Sequence, residues 1–187
     1  MVRDALRTDV PAITRIMNQG IDETTCTLEI VHKTEGERAA WMAARGPRHP
    51  VIVAGAPEAG AGRAAPEAGA VPEPEVGAVP EHPTGILGWA SLNVFRPQPG
   101  YDGVADISVY IDRDVRGRGI GRQLLDELER RARSVGFHKL VLAAMPDNER
   151  GRALYTRVGF MLVGTYREQG FRDGVWRDVI IMEKLLG

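Results

Sequence analysis

The feature that most constrains this chain is a glycine-rich turn, Arg116-Gly117-Arg118-Gly119-Ile120-Gly121, between a strand-like segment and an amphipathic helix. The preceding segment, Val104 to Ile111, is predicted to be a strand, and the helix that follows carries apolar residues about every four positions. Closely spaced glycines let successive backbone N–H groups turn toward one point, and the helix N-terminus adds partial positive charge there. The turn therefore predicts an anion site that suits a pyrophosphate.

Two common phosphate-binding motifs do not match this turn. In the dinucleotide fingerprint G-x-G-x-x-G, the third glycine would fall at Arg122 or at Leu124. The Walker A motif is also excluded, because no Lys-Ser or Lys-Thr pair follows the glycines. The ordinary alternative is a glycine-rich connection with solvated arginines.

The rest of the chain alternates between strand-like and helix-like segments. Asp9 followed by Pro11 predicts the start of a first helix, and Thr34 with Glu37 predicts a capping box for a second. The predicted order is β-α-α-β-β-β-α-β-α-β-β, which defines an α/β (α+β) domain with a mixed sheet. A chain of 187 residues suits one such domain.

Residues 54–83 interrupt this alternation. They contain six of the twelve prolines and repeat a short unit, PEAGAG, PEAGAV and PEVGAV. A segment of this composition, without aromatic residues, cannot build a core. We expect a flexible insertion at the tip of a hairpin within the single domain 1–187.

Composition excludes several classes of protein. The net charge of −1 argues against a nucleic-acid surface, and the longest apolar run, Leu140 to Met145, is too short to cross a membrane. The N-terminus carries charges where a secretory signal would be apolar, so the expected location is cytoplasmic. The single cysteine, Cys26, excludes an intrachain disulfide. No metal is expected, because the histidines form no metal-spaced pair: His32, His49, His82 and His138.

The pattern R-x-x-G-x-G in this strand-to-helix context, with Asn148, Leu154-Tyr155 and Gly159-Phe160 downstream, resembles the two conserved blocks of the GNAT superfamily of N-acetyltransferases. The resemblance runs from RDALRTDVPAI to the final strand, apart from the insertion. It implies the GNAT fold, a central sheet of about six to seven strands and about four helices that is splayed where acetyl-CoA binds. It also implies direct transfer of the acetyl group to an amine in a ternary complex.

By the same resemblance, particular residues would contact acetyl-CoA. The turn Arg116 to Gly121 would hold the pyrophosphate. Asn148 would contact the cofactor arm, although it can equally be the N-cap of the helix that begins at Glu149. Backbone contacts would come from three consecutive strand residues, Val109, Tyr110 and Ile111.

Acetyl transfer requires a base for the amine and an acid for the departing thiolate. Only about a tenth of a free α-amino group is neutral at pH 7, so a carboxylate, acting directly or through water, is needed. Asp106 lies on the strand before the turn and is the candidate base; the alternative is a polar residue on the solvent side of the strand. The resemblance implies Tyr155 as the acid, with an aromatic core residue as the alternative.

Within the superfamily, the chain is similar to phosphinothricin and methionine sulfoximine acetyltransferases. The residues that carry this likeness are Phe95-Arg96-Pro97 with Tyr101, Ser108-Val109-Tyr110, and the segment from Gly170 to Asp178. The likeness implies a small amino-acid-like acceptor and a homodimer. The acceptor would bind near Phe95, with Arg96 and Arg177 as candidates to hold its carboxylate.

Two other functions remain open at this point. A protein N-terminal or lysine acetyltransferase would share the cofactor blocks but would need an open groove for a peptide. A non-catalytic acetyl-CoA sensor would keep the turn but could lose Asp106 or Tyr155. The presence of both residues favours an enzyme.

Overall fold

The computed structural model describes residues 1–55 and 85–187 of the chain. The predicted insertion lies outside the described residues, apart from Ala54 and Gly55, which end a strand. The strands on either side of the insertion pair with each other in antiparallel orientation.

The described residues form four α-helices and seven β-strands in the predicted order, so the predicted fold class is confirmed. Short 3-10 turns occur at Arg7–Asp9, Pro99–Tyr101 and Arg113–Val115. The strands and helices are β1 (Val2–Asp4), α1 (Val10–Asp22), α2 (Glu35–Ala43), β2 (Val51–Gly55), β3 (Ile86–Val94), β4 (Val104–Ile111), α3 (Ile120–Ser134), β5 (Lys139–Ala144), α4 (Glu149–Arg157), β6 (Met161–Arg172) and β7 (Val175–Leu185).

Two local predictions about helix starts have different outcomes. The capping box is confirmed, because the Thr34 hydroxyl accepts from the Glu37 amide at 3.2 Å and the Glu37 carboxylate accepts from the Thr34 amide at 2.7 Å. The prediction that the Asp9 side chain caps α1 is wrong. Its carboxylate instead accepts from the Leu6 amide at 2.7 Å and pairs with Arg3 at 2.6 Å, so it is used by the turn before the helix.

All seven strands form one sheet in the order β1-β2-β3-β4-β5-β7-β6. Only β4 and β5 are parallel neighbours, and they pair over three positions, from Val104 with Lys139 to Asp106 with Val141. Both strands continue beyond these pairs, to Ile111 and Ala144, with no further pairing between them. The sheet is therefore splayed between β4 and β5, as predicted.

The two faces of the sheet carry separate apolar cores. Helix α3 covers one face with the predicted stripe, which includes Leu124 and Leu128, both fully buried. Helix α1 covers the other face with Ile13 and Ile16, which pack with Trp89 of β3. Each fully buried Leu or Ile side chain contributes about 1.5–3 kcal/mol. The two cores hold β4 from both sides and so fix the wall of the splay.

Strand β6 forms the outer edge of the sheet and is unusually apolar on its exposed side. Among residues 1–55 and 85–187, no further strand pairs with it. At the end of the hairpin that β6 forms with β7, Phe171 and Trp176 are exposed with ring centroids 5.3 Å apart. The other exposed apolar residues of this hairpin are Met161, Leu162, Val163, Tyr166, Val175 and Leu185. In the described part of the chain, no helix is long and apolar enough to cross a membrane.

Candidate active site

A cleft of about 1660 Å³ opens where β4 and β5 separate. Its walls are the ends of β4 and β5, the turn and first residues of α3, one face of α4, and the loop Thr25–Val31 between α1 and α2. Ligand pockets are usually about 300–1,000 Å³, so this cleft has room for an extended ligand and a second, smaller one.

The predicted anion-binding turn lies at the mouth of the splay. Gly117 and Gly119 have left-handed backbones, with φ of 81° and 79°, and Gly119 precedes the first residue of α3 without a side-chain cap. A residue with a Cβ atom would strain each of these positions by about 1–2 kcal/mol. Ile120 is buried beneath the turn, so the first amides of α3 are held at the cleft.

Gly121 has a packing role that the sequence did not indicate. A Cβ atom there would lie 2.7 Å from Cδ2 of Leu154 on α4. The missing side chain therefore allows α3 and α4 to approach each other beside the cleft. Gly121 also lines the cleft, so it belongs to the turn and to the helix contact at once.

The arginines of the turn differ in what they contact. The Arg116 guanidinium donates to Glu23 at 2.6 Å and to the Ile111 carbonyl at 3.3 Å, which ties the turn to the end of α1. Arg118 is exposed and has no ion pair among the described residues, and it is not part of the cleft lining. Arg116 therefore holds the turn in place, while Arg118 points its charge into solvent.

A second set of contacts holds this turn in place, through residues that sequence reasoning missed. Asp112, directly after β4, is fully buried and forms an ion pair with Arg15 of α1. Its carboxylate also accepts from the Asp114 amide at 3.0 Å. An Asp that follows a strand and precedes a turn is a local signal for the second contact, but not for the first.

Three further arginines line the cleft, and the two on α4 were also missed. Arg122 lies in the first turn of α3, and Arg150 and Arg157 lie seven positions apart on α4, on the face toward the cleft. All three are exposed, and Arg150 and Arg157 have no carboxylate partner within the described ranges 1–55 and 85–187. They add positive charge to the mouth of the cleft.

Asn148 lies at the N-terminus of α4, beside the cleft. Its side-chain oxygen accepts from the Gly151 amide at 3.0 Å, so the N-cap interpretation is confirmed. A Cβ atom at Gly151 would lie 2.7 Å from the Asn148 amide nitrogen, so this cap requires glycine there. Asn148 also lines the cleft.

Val109, Tyr110 and Ile111 line the cleft along the stretch of β4 that has no β5 partner. The Tyr110 ring faces the opposite core, where it stacks on Trp89 with centroids 4.9 Å apart. Burial raises the pKa of the Tyr110 hydroxyl. This tyrosine therefore fixes the strand through its ring.

Asp106 is the last β4 residue that pairs with β5, so it stands where the two strands part. It is half-buried, which does not fit the alternative of a solvent-facing residue. Burial raises the pKa of its carboxyl from 3.8 to about 6, while a 3.2 Å hydrogen bond from Asn93 lowers it. The cleft lining begins one residue further along, at Ile107 and Ser108.

Tyr155 lies on α4 and lines the cleft. Its ring packs against Phe160 at a centroid distance of 6.0 Å and against the core beneath α3, so the core interpretation also describes it in part. Burial raises the pKa of its hydroxyl above the usual range. The hydroxyl is therefore protonated at neutral pH and able to donate.

The predicted acceptor residues are not brought together. Arg96 is exposed and stacks over Phe95 and Tyr101, 5.5 Å and 5.9 Å from the ring centroids, outside the cleft lining. Arg177 lies on β7, 3.9 Å from Asp147, which does line the cleft. Arg96 follows the end of β3, and β4 and β5 lie between β3 and β7 in the sheet. In the described part of the chain, no cluster of His, Cys, Asp or Glu is placed to hold a metal ion.

The mixed sheet that splays between its two parallel strands, with a glycine turn and a helix N-terminus at the opening, has the features that the resemblance to the GNAT superfamily implies. The acetyltransferase (GNAT) family model matches residues 63–160, and the chain belongs to this family. It is an N-acetyltransferase.

Similar proteins agree with this assignment. The L-methionine sulfoximine/L-methionine sulfone acetyltransferase of Pseudomonas paraeruginosa is 32% identical over 97% of this chain and 92% of its own length. An N-acetyltransferase structure from Staphylococcus aureus Mu50 has a TM-score of 0.82, at 28% identity, covering 100% of this chain and 98% of that one. A GNAT superfamily phosphinothricin acetyltransferase from Sinorhizobium meliloti, in complex with AcCoA, has a TM-score of 0.80 at 26% identity, covering 100% and 88%.

Proposed function

We propose that this protein transfers the acetyl group of acetyl-CoA to the primary amine of a small amino-acid-like acceptor, by direct attack in a ternary complex. The observation that carries the proposal is the cleft, which runs from the glycine turn along the open part of β4 to Tyr155. The Pseudomonas relative acts on methionine sulfoximine and methionine sulfone by its name, and the Sinorhizobium structure contains AcCoA.

The cofactor would extend along this cleft. Its pyrophosphate would bind the amides at Gly119 and Gly121, where the partial positive charge of α3 adds to the attraction. The exposed arginines of the cleft, Arg122 with Arg150 and Arg157, would neutralise the remaining phosphate charge. The arm of the cofactor would follow the open backbone of Val109 to Ile111.

The reaction forms one C–N bond and breaks one C–S bond. The neutral amine attacks the thioester carbonyl, and its proton passes to Asp106, through a water molecule because Asp106 lies just outside the cleft lining. Tyr155 donates a proton to the departing thiolate. With a pKa of about 6, Asp106 is largely ionised at neutral pH and so available as a base.

The acceptor end of the cleft favours a small molecule over a peptide. The loop Thr25–Val31 contacts β6 closely, since a Cβ atom at Gly170 would lie 2.5 Å from Cδ1 of Leu28. Arg172 of β6 holds this loop by donating to the carbonyl oxygens of Thr27 and Glu29 at 2.6 Å and 2.9 Å. The loop held in this way would narrow the acceptor end of the cleft, which favours a small acceptor.

The proposal includes a homodimer that buries the exposed apolar surface of the β6–β7 hairpin. An open edge strand with eight exposed apolar residues on its hairpin is a site for association. Sedimentation velocity should give twice the monomer mass, and Trp176→Glu should give the monomer. A monomeric parent protein would contradict this part of the proposal.

The experiment that tests the function measures thiol release from acetyl-CoA with a panel of amines. Methionine sulfoximine and phosphinothricin should react, and masking their carboxylate as an amide should sharply lower kcat/KM. Peptide N-termini or lysine peptides that react faster than every free amino acid would favour a protein acetyltransferase. Tight calorimetric binding of acetyl-CoA without turnover of any amine would favour a sensor.

The carboxylate contact is tested by two single variants. Arg96→Ala and Arg177→Ala should be compared on the free acid and on its amide. Removal of the arginine that binds the carboxylate should lower kcat/KM for the free acid but should lower it little further for the amide, because the substitution and the masking remove the same interaction. If each variant lowers kcat/KM equally for the free acid and for the amide, neither arginine binds the carboxylate.

A further inference from the structure

Within residues 1–55 and 85–187, one side chain donates a hydrogen bond to Asp106, that of Asn93 on the neighbouring strand β3. The Asn93 amide nitrogen donates to Asp106 Oδ2 at 3.2 Å and to the Ser108 hydroxyl oxygen at 3.0 Å. Asn93 and Asp106 are directly opposite each other in the β3–β4 register. Both protons of the amide are therefore used along β4.

The other end of the Asn93 amide is held by two donors. Its oxygen accepts from the Ser91 hydroxyl at 3.0 Å and from the Arg45 guanidinium at 3.0 Å. A flipped amide would place its NH₂ group against the guanidinium and its oxygen against the carboxylate. Both contacts would be repulsive, so Arg45 and Asp106 determine which way the amide points, whereas the Ser91 hydroxyl could donate or accept.

Arg45 is itself fixed by its surroundings. Its guanidinium donates to the His49 carbonyl at 2.7 Å and to the Leu92 carbonyl, and it stacks on Trp41 at 4.3 Å from the ring centroid. Burial lowers the pKa of Arg45 to about 10, so it still carries its charge at neutral pH. In residues 1–55 and 85–187 it has no carboxylate partner, and its charge acts on the neutral Asn93 amide.

We propose that Asn93 and Arg45 are positioning residues that orient the Asp106 carboxylate and stabilise its ionised form for proton transfer. The inference rests on the proposed role of Asp106 as the base. The charge of Arg45 reaches Asp106 through one amide, because the cation polarises the amide whose N–H groups point at the carboxylate. The loop after α2 thereby acts on the catalytic strand without touching either substrate.

The groups that face Asp106 come from three neighbouring elements. Strand β3 supplies Asn93, with Arg45 behind it; α4 supplies Tyr155, whose hydroxyl pKa the Asp106 charge raises; and β5 supplies the apolar Val141 as strand partner. Ser108 lies on the same strand. Among the described residues, Asn93 is the group that opposes the effect of burial on Asp106.

The test measures the acidic limb of the kcat/KM profile and, independently of activity, the pKa of Asp106 by carboxyl-carbon NMR. Asn93→Leu, which keeps the volume but removes the amide, should move both to higher pH by about one unit, the equivalent of one hydrogen bond to a charged group. Arg45→Met should move both in the same direction by less, and Arg45→Lys should restore part of the shift. Asn93→Leu combined with Arg45→Met should shift no more than Asn93→Leu alone.

Arg48→Met is the matched control from the same loop. Arg48 stacks on Phe137 and donates to the Asp102 carbonyl, away from the network, so its loss should leave the limb in place. An unshifted pKa of Asp106 in both Asn93→Leu and Arg45→Met would overturn the inference. If Asn93→Leu does not fold, the pKa of Asp106 in Arg45→Met and in Arg45→Lys tests the inference by itself. An acidic limb that survives in Asp106→Asn would instead refute the proposed base, whatever the NMR titration gives.

Discussion

The raised pKa of Asp106 means that the folded protein is destabilised by this carboxylate at neutral pH. The folded protein binds the Asp106 proton more tightly than the unfolded chain does. Its contribution to the free energy of unfolding is therefore most favourable below about pH 4 and declines as the pH rises toward the folded pKa of about 6. A pKa that rises from 3.8 to about 6 on folding lowers the free energy of unfolding by at most about 3 kcal/mol, at pH values above both pKa values.

Asp106→Asn should remove this penalty without changing the shape of the side chain. The amide oxygen can still accept from Asn93, and no charge has to be buried. The free energy of unfolding should rise by about 3 kcal/mol at about pH 7.5 and by only about 1 kcal/mol at about pH 4.5. The same variant should lose the acidic limb of its pH–rate profile, so a gain in stability would accompany the loss of catalysis.

Urea unfolding at the two pH values measures this difference directly. Asp102→Asn, an exposed carboxylate on the preceding loop, is the control and should change stability by less than about 0.5 kcal/mol at either pH. A loss of stability in Asp106→Asn at neutral pH, or an equal gain at both pH values, would refute the reasoning. A loss would mean that hydrogen bonds to the carboxylate outweigh its burial, and an equal gain would mean that folding does not raise the pKa of Asp106.

Three further changes follow from the contacts of the cleft. Tyr155→Phe should lower kcat by about 10²-fold with little change in acetyl-CoA affinity, and an unchanged kcat would place the acid elsewhere. Gly121→Ala should cost about 1–3 kcal/mol, because its Cβ atom would lie 2.7 Å from Leu154; an unchanged melting temperature would show that α4 yields easily. Arg172→Met should cost about 3 kcal/mol and raise the acceptor KM, since it leaves loop carbonyls without their donor; unfolding curves and KM values equal to the parent's would contradict this role.

The predictions that succeeded depend on residues close together in the sequence. The order of strands and helices follows from local periodicity, and the capping box at Thr34 involves residues three positions apart. Asp9 was assigned wrongly because two local partners, the α1 amides and the Leu6 amide, compete for one carboxylate, and Arg3 decides the competition. The insertion at 54–83 stays a prediction.

The site was predictable where a motif or a strand position identified it, as for the turn and for the placement of Tyr155 on the cleft. The supporting contacts were not predictable. Asp112 and its partner Arg15 are 97 residues apart, and Arg45 and Asn93 are 48 apart. Pairs of this kind leave no periodic signal, because they exist only once the sheet has formed. The helix contact at Gly121 was hidden for the same reason.

The splay between β4 and β5 gives the protein an open strand edge in the interior of its sheet. Exposed edges ordinarily invite other polypeptides to pair with them, which is a route to aggregation. This edge is flanked by α4, by the first turn of α3 and by the loop Thr25–Val31, all of which line the same cleft. These elements leave room for a narrow ligand along the edge but not for the continuation of a sheet. The width of the cleft thus selects which molecules can hydrogen-bond to this unpaired strand edge.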